Sequence, residues 1–197
     1  MKQKNVGILL FENVEVLDFA GPFEVFSISE YENGEGNPFV VRTISETGRL
    51  VTARNGLKVQ PDNGLSDSPK LDILIIPGGP GTYEIETKNR AVIEWIDQQA
   101  REVEVLASVC TGAFLLAKAG LLDGRRATTH WRSLDRLENE YPKIMVQRGI
   151  KYVDEGSIIT SAGISAGIDM SLYLVGKLIG KQAALNTAKR MEYTQGK

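Results

Sequence analysis

The chain has 197 residues, 42% of them hydrophobic, and its 23 basic and 25 acidic side chains leave a net charge of -2. Apolar residues are spread along the whole length, which predicts one domain, residues 1–197, around one core. Charges of both signs alternate, and the densest basic cluster is the pair Arg125-Arg126. The sequence therefore offers no electrostatic footprint for nucleic acid or an anionic membrane.

The opening stretch MKQKNVGILLFENVEVLD carries two lysines and a short apolar run, but acidic residues break it and no small-residue cleavage site follows, so no signal peptide is expected. No apolar window approaches the roughly 18 residues of a membrane span. A single cysteine, Cys110, excludes an internal disulfide and fits a reducing compartment, with the cytoplasm the expected location.

Near-continuous apolar runs rich in β-branched residues at 6–11, 39–44, 73–76 and 103–109 predict strands covered on both faces. Helical patterns lie between and after them. In 89–101, Val92, Ile93, Ile96 and Ala100 share a face, and in 164–179 apolar residues recur every three or four positions. Strands alternating with helices predict an α/β sandwich with a mainly parallel sheet. Segments 49–61 and 146–162 each hold two short extended runs, around Asn55-Gly56 and Asp154-Glu155-Gly156, and are expected as hairpins added to that sheet.

Ligands of open α/β sheets bind beyond the carboxyl ends of the strands. Three segments should meet there: 17–22, containing Asp18; 77–81, containing Gly78-Gly79; and Cys110-Thr111-Gly112. The strand running into Cys110, the small Gly112 and the apolar helix 113–119 match a strand-to-helix turn that exposes a nucleophile, with first-turn amides favouring a thiolate. Alone, Cys110 reads equally well as a buried small hydrophobe. Asp18 stands in an apolar stretch, where it is either a helix cap or a carboxyl kept neutral by burial and able to donate a proton.

The run 77–82 lacks the Gly-Lys-Ser/Thr of a phosphate loop and, counted from Gly79, has Glu84 where a dinucleotide fingerprint has its last glycine. By itself it is a tight turn, or a source of backbone amides for developing negative charge. His130, the only histidine, follows Thr128-Thr129 and is either a structural group or an activator of the thiol. One His with one Cys makes no zinc site.

Together these residues resemble the class I glutamine-amidotransferase-like superfamily that includes the PfpI intracellular protease and the Parkinsonism-associated deglycase. Within it the chain is most similar to isonitrile hydratases and to sensor domains of AraC-type regulators. The matching segments are GILLF at 7–11, LDFAGP at 17–22, IIPGG at 75–79, SVCTG at 108–112, AGLLDG at 119–124, ATTHW at 127–131 and TSAGISAGID at 160–169.

The resemblance implies a flavodoxin-like three-layer sandwich, a homodimer, and Cys110 as nucleophile faced by Asp18 from the loop after the first strand. It also implies water added to an isonitrile, a small-molecule electrophile, without metal or organic cofactor. Thr111 and the amides near Gly78-Gly79 would orient the adduct, while His130, Gly163 and Ile164 would line the pocket.

Thr111 stands where superfamily proteases and many deglycases have His, and no His-x-Glu segment supplies an amidotransferase triad. Two further readings stay open: a glyoxalase or deglycase acting on α-oxoaldehydes, and a sensing module without turnover. The chain is expected to lack a helix-turn-helix region and to be shorter at its C-terminus than hydratases of this kind.

Overall fold

The first apolar run forms β1 (Lys4–Leu9), whose last four residues are buried because helices cover both faces of the sheet it joins. The computed structural model, which describes residues 3–34 and 36–194, continues with α1 (Val16–Ile28) and β2 (Phe39–Ser45). Three two-residue strands follow: β3 (Val51–Thr52), β4 (Lys58–Val59) and β5 (Asn63–Gly64). Next come β6 (Ile73–Ile76), α2 (Pro80–Glu84), a 3-10 turn (Glu86–Lys88), α3 (Arg90–Ala100) and β7 (Val105–Val109). A 3-10 turn at Cys110–Gly112 leads into α4 (Ala113–Lys118). The remainder is β8 (Arg126–Ala127), α5 (Leu134–Glu140), β9 (Met145–Val146), β10 (Tyr152–Asp154), β11 (Ile158–Ser161), α6 (Ala166–Ile179) and α7 (Lys181–Arg190).

The seven-stranded central sheet has the order β10-β11-β7-β6-β1-β2-β5, and only the β10–β11 pair is antiparallel. From β1 the chain steps to β2 in one direction, and from β6 to β7 in the other. Right-handed crossovers then place α1 and α3 on opposite faces, which makes the expected three-layer sandwich. On one side α1, α6 and α7 pack together; on the other α3 packs on α4. Ile76 lies opposite Ser108, and Val109 opposite Ser161, so the carboxyl ends of β6, β7 and β11 lie side by side.

The expected helix 89–101 forms over Arg90–Ala100 because Asn89 accepts the Val92 N–H as its N-cap. The strand expected from 103 starts at Val105, since Val103 N–H still donates to Gln99 O at the end of α3. α6 starts at Ala166 rather than 164 because Ile164 has a left-handed backbone (φ 56°).

The two expected hairpins fare differently. β10 and β11 pair around the Asp154–Gly156 turn and join the main sheet through β7. The 49–61 hairpin forms as β3–β4 but stands apart, because β5 already pairs with the outer edge of β2. Val146, expected in the second hairpin, lies in β9 and pairs in parallel with β8. No helix among the described residues is long and apolar enough to cross a membrane.

Candidate functional site

β7 ends at Val109, and the chain turns at Cys110 with φ 57°, a conformation that costs an L-residue roughly 1–2 kcal/mol. Neighbours hold it there. Cys110 N–H donates to Ala162 O at 3.2 Å, and Cys110 O accepts the Thr129 hydroxyl at 2.7 Å. Gly112 is required next, because a Cβ at that position would run into the carbonyl oxygen of Ile76. Behind the turn, fully buried Phe114 meets Tyr83 edge-on at 4.9 Å, which anchors α4.

Asp18 is completely buried beside this turn. It lies in the first turn of α1, not in the loop expected for it, and the N-cap position belongs to Glu15. Its Oδ2 accepts the Gly78 N–H at 3.1 Å and its Oδ1 the Ile164 N–H at 3.2 Å. The carboxyl also faces the Cys110 thiol. Burial pushes Asp18 up to about 7, against the pull of the Gly78 amide and the thiol, while nearby Glu15 adds to the rise.

The expected lowering of the thiol pKa does not occur. Burial pushes the Cys110 thiol up and the Asp18 charge adds to it, outweighing the opposite pull of the Thr111 amide and hydroxyl. The two buried acids share one small space, so the charge on Asp18 disfavours ionisation of the thiol.

Thr111 Oγ1 accepts the Gly79 N–H at 2.9 Å and lies 3.3 Å from both Gly79 O and Thr82 Oγ1. The amides of Gly78 and Gly79, expected to be free for developing charge, thus already serve Asp18 and Thr111. Their effect is to fix the carboxyl and the turn. Ile164 is a β-branched residue held in the left-handed region, and this aims its N–H at Asp18.

His130 sits apart from the acid pair. Its Nδ1 accepts the Arg132 N–H at 3.3 Å, and no described hydrogen bond joins it to Cys110. Burial lowers its pKa, and Arg132 lowers it further. Its ring fills the space a Cβ on Gly163 would need. Thr129, His130, Trp131, Ile150, Gly163 and Ile164 line an adjoining pocket of about 500 Å³.

Sequence reasoning missed Thr129, which holds the Cys110 carbonyl, and the ion pair Arg54 Nη1–Glu15 Oε2 at 2.6 Å. The charges of that pair are felt by Cys110, Asp18 and His130. The only available signal was Glu15 standing three positions before Asp18.

The DJ-1/PfpI family model matches residues 4–177. Isonitrile hydratase from Pseudomonas putida is 33% identical over 189 residues, 95% of this chain and 78% of that protein. The HTH-type transcriptional regulator GbdR of Pseudomonas aeruginosa is 30% identical over 96% of this chain, which spans only 51% of the regulator. Among solved structures, a THiJ/PfpI family protein from Pseudomonas syringae superposes with a TM-score of 0.87 at 26% identity, covering 100% of this chain and 78% of that one.

Proposed function

This chain belongs to the DJ-1/PfpI family, and from that premise we propose that it is a cysteine-dependent hydratase converting an isonitrile to an N-formamide. The observation that carries the reading is the Asp18 carboxyl, titrating at about 7 and facing a cysteine held on a left-handed turn. A general acid–base group works best with its pKa near the operating pH. The 33% identity with the Pseudomonas putida hydratase supports the substrate class.

In the proposed reaction the Asp18 carboxylate takes the thiol proton as the Cys110 sulfur bonds to the terminal carbon of R–N≡C. The same proton then passes to that carbon, leaving the thioimidate R–N=CH–S–Cys110 and a free carboxylate. Water adds across C=N, its oxygen to carbon and a proton to nitrogen. The C–S bond then breaks as the C–OH proton passes through Asp18 to sulfur, releasing R–NH–CHO and the thiol. Thr111 and the Gly78-Gly79 backbone keep the carboxyl and sulfur in register throughout, and the pocket lined by His130, Gly163 and Ile164 receives the R group.

The test is formamide production from an aryl isocyanide by wild type, Cys110→Ala and Asp18→Asn, with methylglyoxal assayed in parallel. Cysteine-dependent turnover of the isocyanide supports the reading. Turnover of methylglyoxal alone transfers it to the glyoxalase class.

The regulator similarity over nearly the whole chain favours a second reading, a sensing module that binds a small molecule without turnover. Saturable ligand binding with no product from either substrate selects it. Sedimentation of the intact chain at micromolar concentration tests the proposed homodimer.

A further inference from the structure

The pocket of about 500 Å³ shares its inner wall with the acid pair. Thr129 donates to the Cys110 carbonyl, Ala162 O accepts the Cys110 N–H, and Ile164 N–H donates to Asp18, so each of these wall residues is one hydrogen bond from a reacting group. The outer rim is apolar. Trp131 and Ile150 line it while remaining 68% and 40% exposed, and Trp131 is the most exposed large hydrophobic side chain among the described residues. Large apolar groups left in water around a concave site mark a surface that a ligand covers.

The indole is held in place rather than left loose. The Arg132 guanidinium lies over it at 4.9 Å, and the His130 ring stands 5.8 Å from it with a tilt of only 31°. His130 is itself fixed, because its ring packs on Gly163 where a Cβ would collide with it. Two neighbouring rings at a small tilt favour a flat aromatic partner, which gains stacking or edge contacts beyond its buried area.

The polar side chains of the wall already have partners. Thr128 donates to Gln147 O at 3.0 Å, Thr129 to Cys110 O, and Lys151 pairs with the buried carboxylate of Asp169 at 2.9 Å. A charged or hydrogen-bonding substituent would have to displace one of them, whereas a neutral ring displaces none.

We propose that this pocket binds an aryl group, with Trp131 as the residue that selects it, and that the substrate of the Cys110 reaction is accordingly an aromatic isonitrile. The identity of the substrate rests on the hydratase reading; binding of the aryl group does not. Space is ample, since a cavity of roughly 150 Å³ already accepts a benzene ring.

Two product formamides of matched size, formanilide and N-cyclohexylformamide, test the pocket without turnover. They are titrated against the full chain carrying Trp95→Phe, in which Trp131 is the sole tryptophan and its emission reports binding. The expected result is a saturable change with both, formanilide binding at least threefold tighter. Steady-state assays with phenyl and cyclohexyl isocyanide then give the ratio of their kcat/KM values, which cancels any general damage to the nucleophile. Trp131→Leu keeps an apolar side chain but removes the ring, so the phenyl-over-cyclohexyl ratio should fall about three- to tenfold, and Trp131→Phe should hold it within about twofold of wild type. No saturable change with formanilide, equal affinity for the two formamides, or an unchanged ratio in Trp131→Leu overturns the proposal. If wild type turns over neither isocyanide, the hydratase reading fails by itself, and the formamide titration still decides whether the aryl pocket stands.

Discussion

Asp18 and Glu86 are two buried carboxyls near the same edge of the sheet, both raised to about 7 mainly by desolvation. Asp18 has an amide donor on each oxygen and a thiol facing it, whereas Glu86 keeps one oxygen without any donor. A similar titration thus arises from opposite states of satisfaction. The shift alone does not mark a reacting group; the partners do, because two fixed amides and an adjacent sulfur give a proton somewhere to go.

The largest expected separation between them is kinetic. Asp18→Asn should lower the proposed formamide production by about 10²–10⁴-fold, the usual size of a general acid–base contribution, while Glu86→Gln leaves it unchanged in a steady-state isocyanide assay. Equal losses in the two variants would erase the distinction. Wild-type kcat/KM should rise with pH through about 7 as Asp18 becomes able to accept the thiol proton, and that inflection should vanish in Asp18→Asn.

In stability the two should act alike. Each carboxyl holds its proton in the folded chain to about pH 7 but releases it near its ordinary 3.8 or 4.5 when unfolded. Between roughly pH 4 and 7 the folded state therefore binds more protons, so stability falls as pH rises through that window. Glu86→Gln should flatten its share of the slope, on the order of a few kcal/mol, and melt higher than wild type at pH 8. Denaturant unfolding at pH 5 and pH 8 measures both.

A smaller effect concerns the pocket wall. Gly163→Ala would push a Cβ into the His130 ring, costing about 1–3 kcal/mol of stability. If the ring only lines the pocket, the isocyanide KM should change more than kcat, whereas a collapse of kcat alone would make His130 a proton carrier.

Much of this was legible in the residues. The run 73–76 is β6 itself, the 89–101 pattern became α3 behind its Asn89 cap, and Cys110 sits at the strand-to-helix turn its neighbours implied. The position of the β3–β4 hairpin was not legible, because it depends on β5, a two-residue strand with no pattern to read. Nor was Glu86. In YEIETKNR it resembles one more solvated charge, and only the packing of its turn against α3 and α4 buries it. The engagement of the Gly78 and Gly79 amides depends on where α1 and α4 bring Asp18 and Thr111, a tertiary fact that a glycine-rich run cannot encode.

The left-handed Cys110 sets the reactive position against the rest of the fold. Glycine adopts that backbone without penalty, so Cys110→Gly should be at least as stable as Cys110→Ala, although glycine weakens most other buried positions. Selection for stability alone would drift toward glycine there and silence the chemistry. Thermostabilising screens of this chain should accordingly be run with activity as a second filter.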